Sequence, residues 1–295
     1  HAPTTIGTTH FTIPLKAYLP EEMEDYYDII LLMTKQRHNK EIVQFLKPRL
    51  SDRGIICTMQ NGIPEPLVAE IIGKDKTVGC TMSWGASFIG GGKAELTSDA
   101  TRETLTFSIG KYGNVNHTSF EYIVKLLNTM GDVKIEENFI GARWSKLLIN
   151  AAFSGLSVVL DATFGEISKN RKSRKIALGI IKECIDVAHA AGITIEPLQG
   201  HDVEKLMNYN SWLKKQFSLF ILPIAMKKHK NIRSSMLRDL AKGRKTEVDA
   251  INGIVCAYGD KHGVDTMLND QIVTIVHQIE ANELKSTWEN IHLIK

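Results

Sequence analysis

The sequence lacks the features that would place a chain outside the ordinary globular class. Its 295 residues hold only four cysteines, Cys57, Cys80, Cys184 and Cys256, far apart, in apolar surroundings and with no CxxC pair. They read as small buried hydrophobes, not a disulfide framework, and they suit a reducing cytoplasm. Ten histidines include no HExxH and no grouping with cysteine at ligand spacing, so no metal site is expected. No apolar run approaches the roughly 20 residues of a membrane-spanning helix. The longest, around Phe217 to Met226, is interrupted by Pro223. A net charge of +3 is too small to argue for nucleic acid or an anionic membrane. Also missing is any GxGxxG. The run Gly90 to Gly92 has neither that spacing nor a helix after it, so it reads as a hairpin connection.

What is present is an alternation followed by a change of texture. "DIILLMT" from Asp28, "GIICTMQ" from Gly54 and "TVGCTMSW" from Thr77 are short apolar runs of strand type. Between them, "NKEIVQFLKPRL" and "PEPLVAEIIG" have helical periodicity. Continuous apolar strands alternating with helices predict a parallel sheet covered on both faces. "SFIGGGKAELTSD" and "ETLTFSIGKYG" then suggest an antiparallel excursion at the sheet edge, and "TTHFTIP" near the start reads as extended. From about Gly141 the pattern is helical only, in runs 144–160, 173–191, 202–228, 234–241, 247–262 and 270–284. The expected architecture is therefore α/β plus all-α: a Rossmann-like parallel-sheet domain over 1–137 and a helical domain over 138–295.

Several polar residues do not fit their elements. Lys35 and Asn61 both follow the carboxyl ends of buried strands, where open parallel sheets bind ligands. In "RWSKLLINA", Lys146 and Asn150 stand four residues apart and share one helix face inside an apolar run. They suit either a snorkelling lysine with a satisfied asparagine or a polar site. Ser234 and Ser235 open one helix and Glu247 another. From Lys227 to Lys245 there are eight basic residues and one acid, Asp239. Without interleaved aromatic residues this run does not suit nucleic acid, and a local potential attracting an anionic small molecule explains it better.

Taken together, "LLMTK", "QNG", "RWSKLLIN" and "SSMLRDLAKGRKTEVDAING" resemble the ketopantoate reductase (2-dehydropantoate 2-reductase) family, in order and approximate spacing, from about Asp28 to His262. The resemblance implies an NADPH-dependent reduction of ketopantoate to D-pantoate, on the way to pantothenate and coenzyme A. It implies Lys146 as general acid and Glu247 near the substrate hydroxyl, with Asn61, Asn150 and Ser235 holding the substrate. Lys35 would lie by cofactor and substrate, and Lys35, Asn61 and Glu247 would be the cofactor contacts. The helical domain would hold the keto acid and serve any pairing into a homodimer. Those residue types suit the chemistry independently, since an alkoxide formed by hydride delivery needs a cation and a proton.

Two departures from the family accompany the resemblance. One turn beyond Asn150, where the family usually has a second asparagine, this sequence has Ser154, a shorter substrate-binding side chain. Nothing from His1 to Asp28 supplies the glycine-rich loop that meets a dinucleotide pyrophosphate. The expectation is an upstream strand, glycine loop and helix of roughly 30–40 residues, as in a βαβ half-unit.

Overall fold

In a computed structural model the chain is described over residues 2–6, 9–198 and 200–295. It divides into two units, residues up to Gln60 with Pro64–Phe139, and Asn61–Ile63 with Ile140–Lys295.

The first unit begins with β1 (Ala2–Ile6) and β2 (Thr9–Ile13), an antiparallel pair. Then β3 (Tyr27–Leu32), α1 (Asn39–Leu46), β4 (Leu50–Thr58), α2 (Glu65–Ile72) and β5 (Thr77–Met82) follow in the order read from the sequence. The three strands are parallel, with Ile29 opposite Ile55 and Ile56 opposite Thr77. Alternate β4 side chains face opposite layers. Ile56 joins Val43, Leu46 and Val68 of α1 and α2 in one core. Ile55 and Cys57 join the other core.

The antiparallel excursion takes a different form from the one expected. β6 (Ala86–Gly90) and β7 (Lys93–Leu96) form a hairpin, and Gly90, Gly91 and Gly92 all have φ between 57° and 97°, where side chains are disfavoured. This hairpin belongs to a separate sheet of order β2-β1-β7-β6. β8 (Phe107–Lys111) is antiparallel to β5 but interior, because β9 (Val133–Ile135) adds in parallel beyond it. The second sheet has the order β3-β4-β5-β8-β9, so β3 is its edge among the described residues. Between β8 and β9 runs α3 (His117–Asn128), which the sequence reading did not include. Its signals are present nonetheless: Asn116 caps it by accepting from the Ser119 amide, and Phe120, Ile123 and Leu127 bury one face.

The second unit is built around α4 (Phe139–Leu160), whose apolar residues from Leu147 to Leu160 are almost all fully buried. α5 (Phe164–Lys169) starts with a Thr163–Glu166 capping box, and α6 (Arg171–Ala190) starts with Asn170 accepting from the Lys172 and Ser173 amides. The single helical run expected over 202–228 is broken. Asp202 caps α7 (Val203–Met207) and Ser211 caps a new helix, α8 (Trp212–Ala225), and an N-cap starts a helix anew. α9 (Ser235–Ala241) follows, then a π-helical turn (Asp249–Gly253), α10 (Ile254–His262) and α11 (Met267–Glu280). α6 packs against α5, α8, α10 and α11. No helix is long and apolar enough, among the described residues, to cross a membrane.

Phe139 closes the first unit by lying over a glycine floor. A β-carbon on Gly79 or on Gly110 would overlap its ring. Phe139→Ala should therefore cost about 3–5 kcal/mol through the cavity it leaves. Gly79→Ala should cost about 1–3 kcal/mol by overpacking. Because both act on one contact, the double variant in urea unfolding should lose less than the sum of the two.

Candidate active site

α4 carries the candidate residues Lys146, Asn150 and Ser154. Along it, Ala142, Lys146, Asn150 and Ser154 recur every four residues and are half-buried. Their neighbours Leu147, Leu148, Ala151, Ala152, Phe153 and Gly155 are buried. A helix stacks residues at this spacing, so Lys146, Asn150 and Ser154 form one half-open polar stripe, with Ile149 half-buried beside it. Lys146 is not without a partner, and neither is Glu247.

Two further segments dock on the same helix by identifiable bonds. Ser234 caps α9 by accepting from the Met236 amide at 3.1 Å, and its own amide donates to Ser157 Oγ at 3.2 Å. Ser235, the first residue of α9, thus emerges exposed beside the Ser154 end of the stripe. Glu247 is half-buried just before the π-helical turn. That turn is tied to α4 by Asn252, whose Nδ2 donates to the Ala151 carbonyl at 3.0 Å, next to Asn150. The same Nδ2 donates to Asn269 Oδ1 at 2.9 Å. Asn269 Nδ2 in turn donates to Glu183 Oε2 at 2.7 Å. Glu183 also accepts from the Leu268 and Asn269 amides, capping α11 from α6. Gly155 permits this docking, since a β-carbon there would stand 2.9 Å from Asn252 Oδ1. Asn252 Oδ1 itself is buried without a partner among the described residues.

Sequence reasoning missed Asn252, Asn269 and Glu183. The available signal was an asparagine inside the apolar periodicity of "DAINGIV", which helix propensity disfavours.

In the first unit, Lys35 lies half-buried just past the end of β3. The strand ends are locked by Gln60, whose Nε2 donates to Asn39 Oδ1 at 2.7 Å and to the Thr34 carbonyl at 2.5 Å. Asn39 Nδ2 returns a bond to Gln60 Oε1 at 2.9 Å. Asn61 is half-buried at the bend after β4, where Gly62 takes φ 74°. It groups with the second unit, not with the sheet. A pyrophosphate needs glycine at a helix N-terminus, and none precedes α1, whose entry reads Thr34-Lys35-Gln36-Arg37-His38.

Arg233, Arg238, Arg244, Lys245 and Lys285 line a cavity of 760 Å³ that also includes Asp161, just past the carboxyl end of α4. That residue is about 22 Å from Lys146 along the helix, at about 1.5 Å per residue. Arg233 pairs with Asp161 at 2.6 Å. These cations complement the negative carboxyl ends of α4, α9 and α11. Two of the thiols are poor nucleophiles: burial pushes Cys256 up to about 12 and raises Cys184 well above its usual value.

A Rossmann-like parallel-sheet unit, then a helical unit carrying a Lys–Asn–Ser stripe, defines a two-unit dehydrogenase fold. Residues 4–109 match the family described as ketopantoate reductase PanE/ApbA, and residues 138–280 match its C-terminal counterpart. The chain belongs to the ketopantoate reductase family. A 2-dehydropantoate 2-reductase of Aquifex aeolicus (strain VF5) is 25% identical over 283 residues, covering 94% of this chain and 84% of that protein. Among solved structures, D-mandelate dehydrogenase with NADH and anilino(oxo)acetate superposes with TM-score 0.79 at 21% identity, covering 95% of this chain and 85% of the other. A dimeric ketopantoate reductase from Staphylococcus aureus gives 0.71 at 19% identity, covering 96% and 88%. At these identities the two structures establish the fold.

The polar network makes two measurable demands. Asn252→Ala removes the second donor on the Ala151 carbonyl and leaves Asn269 Oδ1 without its donor, at about 1–3 kcal/mol for the group left unsatisfied, read by chemical denaturation. Burial raises the Glu183 carboxyl above its ordinary 4.5, against the opposing pull of its bonds from Leu268 and Asn269. Its contribution is therefore full below 4.5 and is lost as pH rises through the raised value. Glu183→Gln should remove that decline from a plot of stability against pH.

Proposed function

We propose that this chain is an NADPH-dependent 2-dehydropantoate 2-reductase, acting in the cytoplasm, whose product D-pantoate supplies pantothenate synthesis. The observation that carries the reading is the half-open stripe Lys146, Asn150 and Ser154 on an otherwise buried α4. When bound, the reduced nicotinamide supplies a hydride to the 2-oxo carbon. Lys146 then neutralises the oxyanion that forms and gives it a proton, a role worth about 10²–10⁴-fold in rate. Asn61, Asn150, Ser154 and Ser235 hold the substrate through its carboxylate and hydroxyl oxygens. Glu247 accepts from the product hydroxyl and orients the lysine, and with Lys35 and Asn61 it contacts the cofactor.

A second reading has an observation of its own. Ser154 stands where the family usually has asparagine, and a fold neighbour is a mandelate dehydrogenase bound to NADH. A shorter side chain leaves room for a bulkier 2-oxo acid, used with NADH instead of NADPH. Loss of one hydrogen bond to a buried ligand group shifts preference by about 1–3 kcal/mol.

The deciding experiment follows oxidation of NADPH and NADH with ketopantoate, aliphatic 2-oxo acids and aryl 2-oxo acids. Turnover of ketopantoate with NADPH supports the first reading, and preference for an aryl acid with NADH supports the second. Binding of a 2-oxo acid without turnover by either cofactor makes the protein a non-catalytic relative. In the first case Lys146→Ala should lower kcat by about 10²–10⁴-fold with less effect on cofactor affinity. Ser154→Asn should preserve or raise kcat/KM for ketopantoate, and a large fall would point to another substrate.

A further inference from the structure

Helix α8 presents an apolar stripe beside a cationic groove. Trp212 is 70% exposed, Leu213 73%, Phe217 45%, Phe220 68% and Ile224 56%. Scattered exposed apolar residues are ordinary, whereas five on one helix form a patch that calls for an occupant. The opposite face of α8, with Ser218, Leu219 and Leu222, is buried in the second unit.

Charge identifies the occupant. The chain carries only +3 overall, yet no aspartate or glutamate occurs between Lys205 and Arg238, where there are six lysines and arginines. Lys214 and Lys215 stand near the start of the stripe, and Lys227 and Lys228 follow its end. Lys214 Nζ is 5.0 Å from the Phe217 ring, so cation and apolar surface adjoin. The groove, of 690 Å³, has Trp212, Phe220 and Ile224 on one wall and Arg171, Arg174 and Lys175 of α6 on the other. No acidic side chain lines it among the described residues. Its cations stand at the amino end of α6, the positive end of that helix's dipole. Arg174 Nε is buried without a hydrogen-bond partner among the described residues, a donor in want of an acceptor.

We propose that α8 seats this protein on an anionic lipid surface, with the stripe in the interface and a lipid phosphate in the groove. A helix lying in the membrane plane sinks its apolar face about 5–10 Å and keeps its cations among the headgroups. The stripe runs about 18 Å along α8, at about 1.5 Å per residue. Tryptophan and lysine at its ends are the side chains that rest at the headgroup boundary. In a lipid the phosphate lies next to the acyl chains, and here groove and stripe share Trp212, Phe220 and Ile224. One lipid molecule therefore answers both features. Its phosphate oxygens match the arginine fork and give the Arg174 guanidinium an acceptor. A second copy on this face would set one positive rim against another, whereas anionic lipid neutralises the rim.

Co-sedimentation of the full chain with vesicles tests the proposal, using phosphatidylcholine alone and an equimolar mixture with phosphatidylserine. The expected result is pelleting with the anionic vesicles, weakened by added salt. Tryptophan emission should shift to the blue on binding, and Trp212→Phe should abolish the shift, because the other three tryptophans are buried or half-buried. Arg171→Gln with Lys175→Gln removes two cations and should weaken binding about 30-fold. Leu213→Ser with Phe220→Ser, at exposed positions and with an unchanged far-UV circular dichroism spectrum, should weaken it at least about 10-fold. A chain that stays in the supernatant with anionic vesicles overturns the proposal, including one whose stripe is sealed in a dimer or that binds only inorganic phosphate. Equal binding to both kinds of vesicle, or binding indifferent to either double variant, overturns it equally.

Discussion

The bond from Asn252 to the Ala151 carbonyl is the constraint on which the helical unit's site depends. A carbonyl inside α4 already accepts a bond from its own helix, so a second donor must approach the rod closely. Gly155, one turn on, leaves the room for that approach. The approaching segment is wound as a π-helical turn, a geometry often found at functional sites. The result is that Glu247 enters the turn beside the helix carrying Lys146 and Asn150.

The cost of this arrangement is visible. Asn252 Oδ1 is buried without a partner among the described residues, and such a group costs about 1–3 kcal/mol. The return comes from neighbours: Asn269 and Glu183 make a chain of bonds from α6 through α11 to the turn. An apolar residue at 252 would avoid the unsatisfied oxygen but would remove the second donor on the Ala151 carbonyl and leave Asn269 Oδ1 without its donor. Buried polar networks of this kind hold one geometry at the expense of raw stability.

The first unit uses the same device at a smaller scale. Gln60 and Asn39 exchange bonds in both directions, and Gln60 also holds the Thr34 carbonyl. The ends of β3 and β4 and the start of α1 are therefore one rigid piece, with Lys35 inside the loop it braces. Glu65 of α2 accepts from Thr58 of β4 at 2.5 Å, so a second polar pair fastens a helix to the sheet. These contacts explain why polar residues end apolar strands at this edge.

The order of strands and helices in the first half, and the helical character of the second, were legible in the sequence because both follow from local periodicity. Lys146 and Asn150 shared a face for the same reason: four residues are one helical turn. The four motifs were sufficient to indicate the family. What the sequence alone could not decide depends on contacts between distant segments. The hairpin β6–β7 left the main sheet to pair with β1 and β2, and β8 became interior only because β9 lies beyond it. Asn252 looked like an ordinary helix residue until tertiary packing gave it a carbonyl across 101 residues, and packing grouped Asn61, already singled out by its place after a strand, with the second unit. The apolar run around Phe217 to Met226, interrupted by Pro223, did not say which of its faces is covered. Burial is a property of the assembled surface, and only the fold showed that one face of that helix stays open.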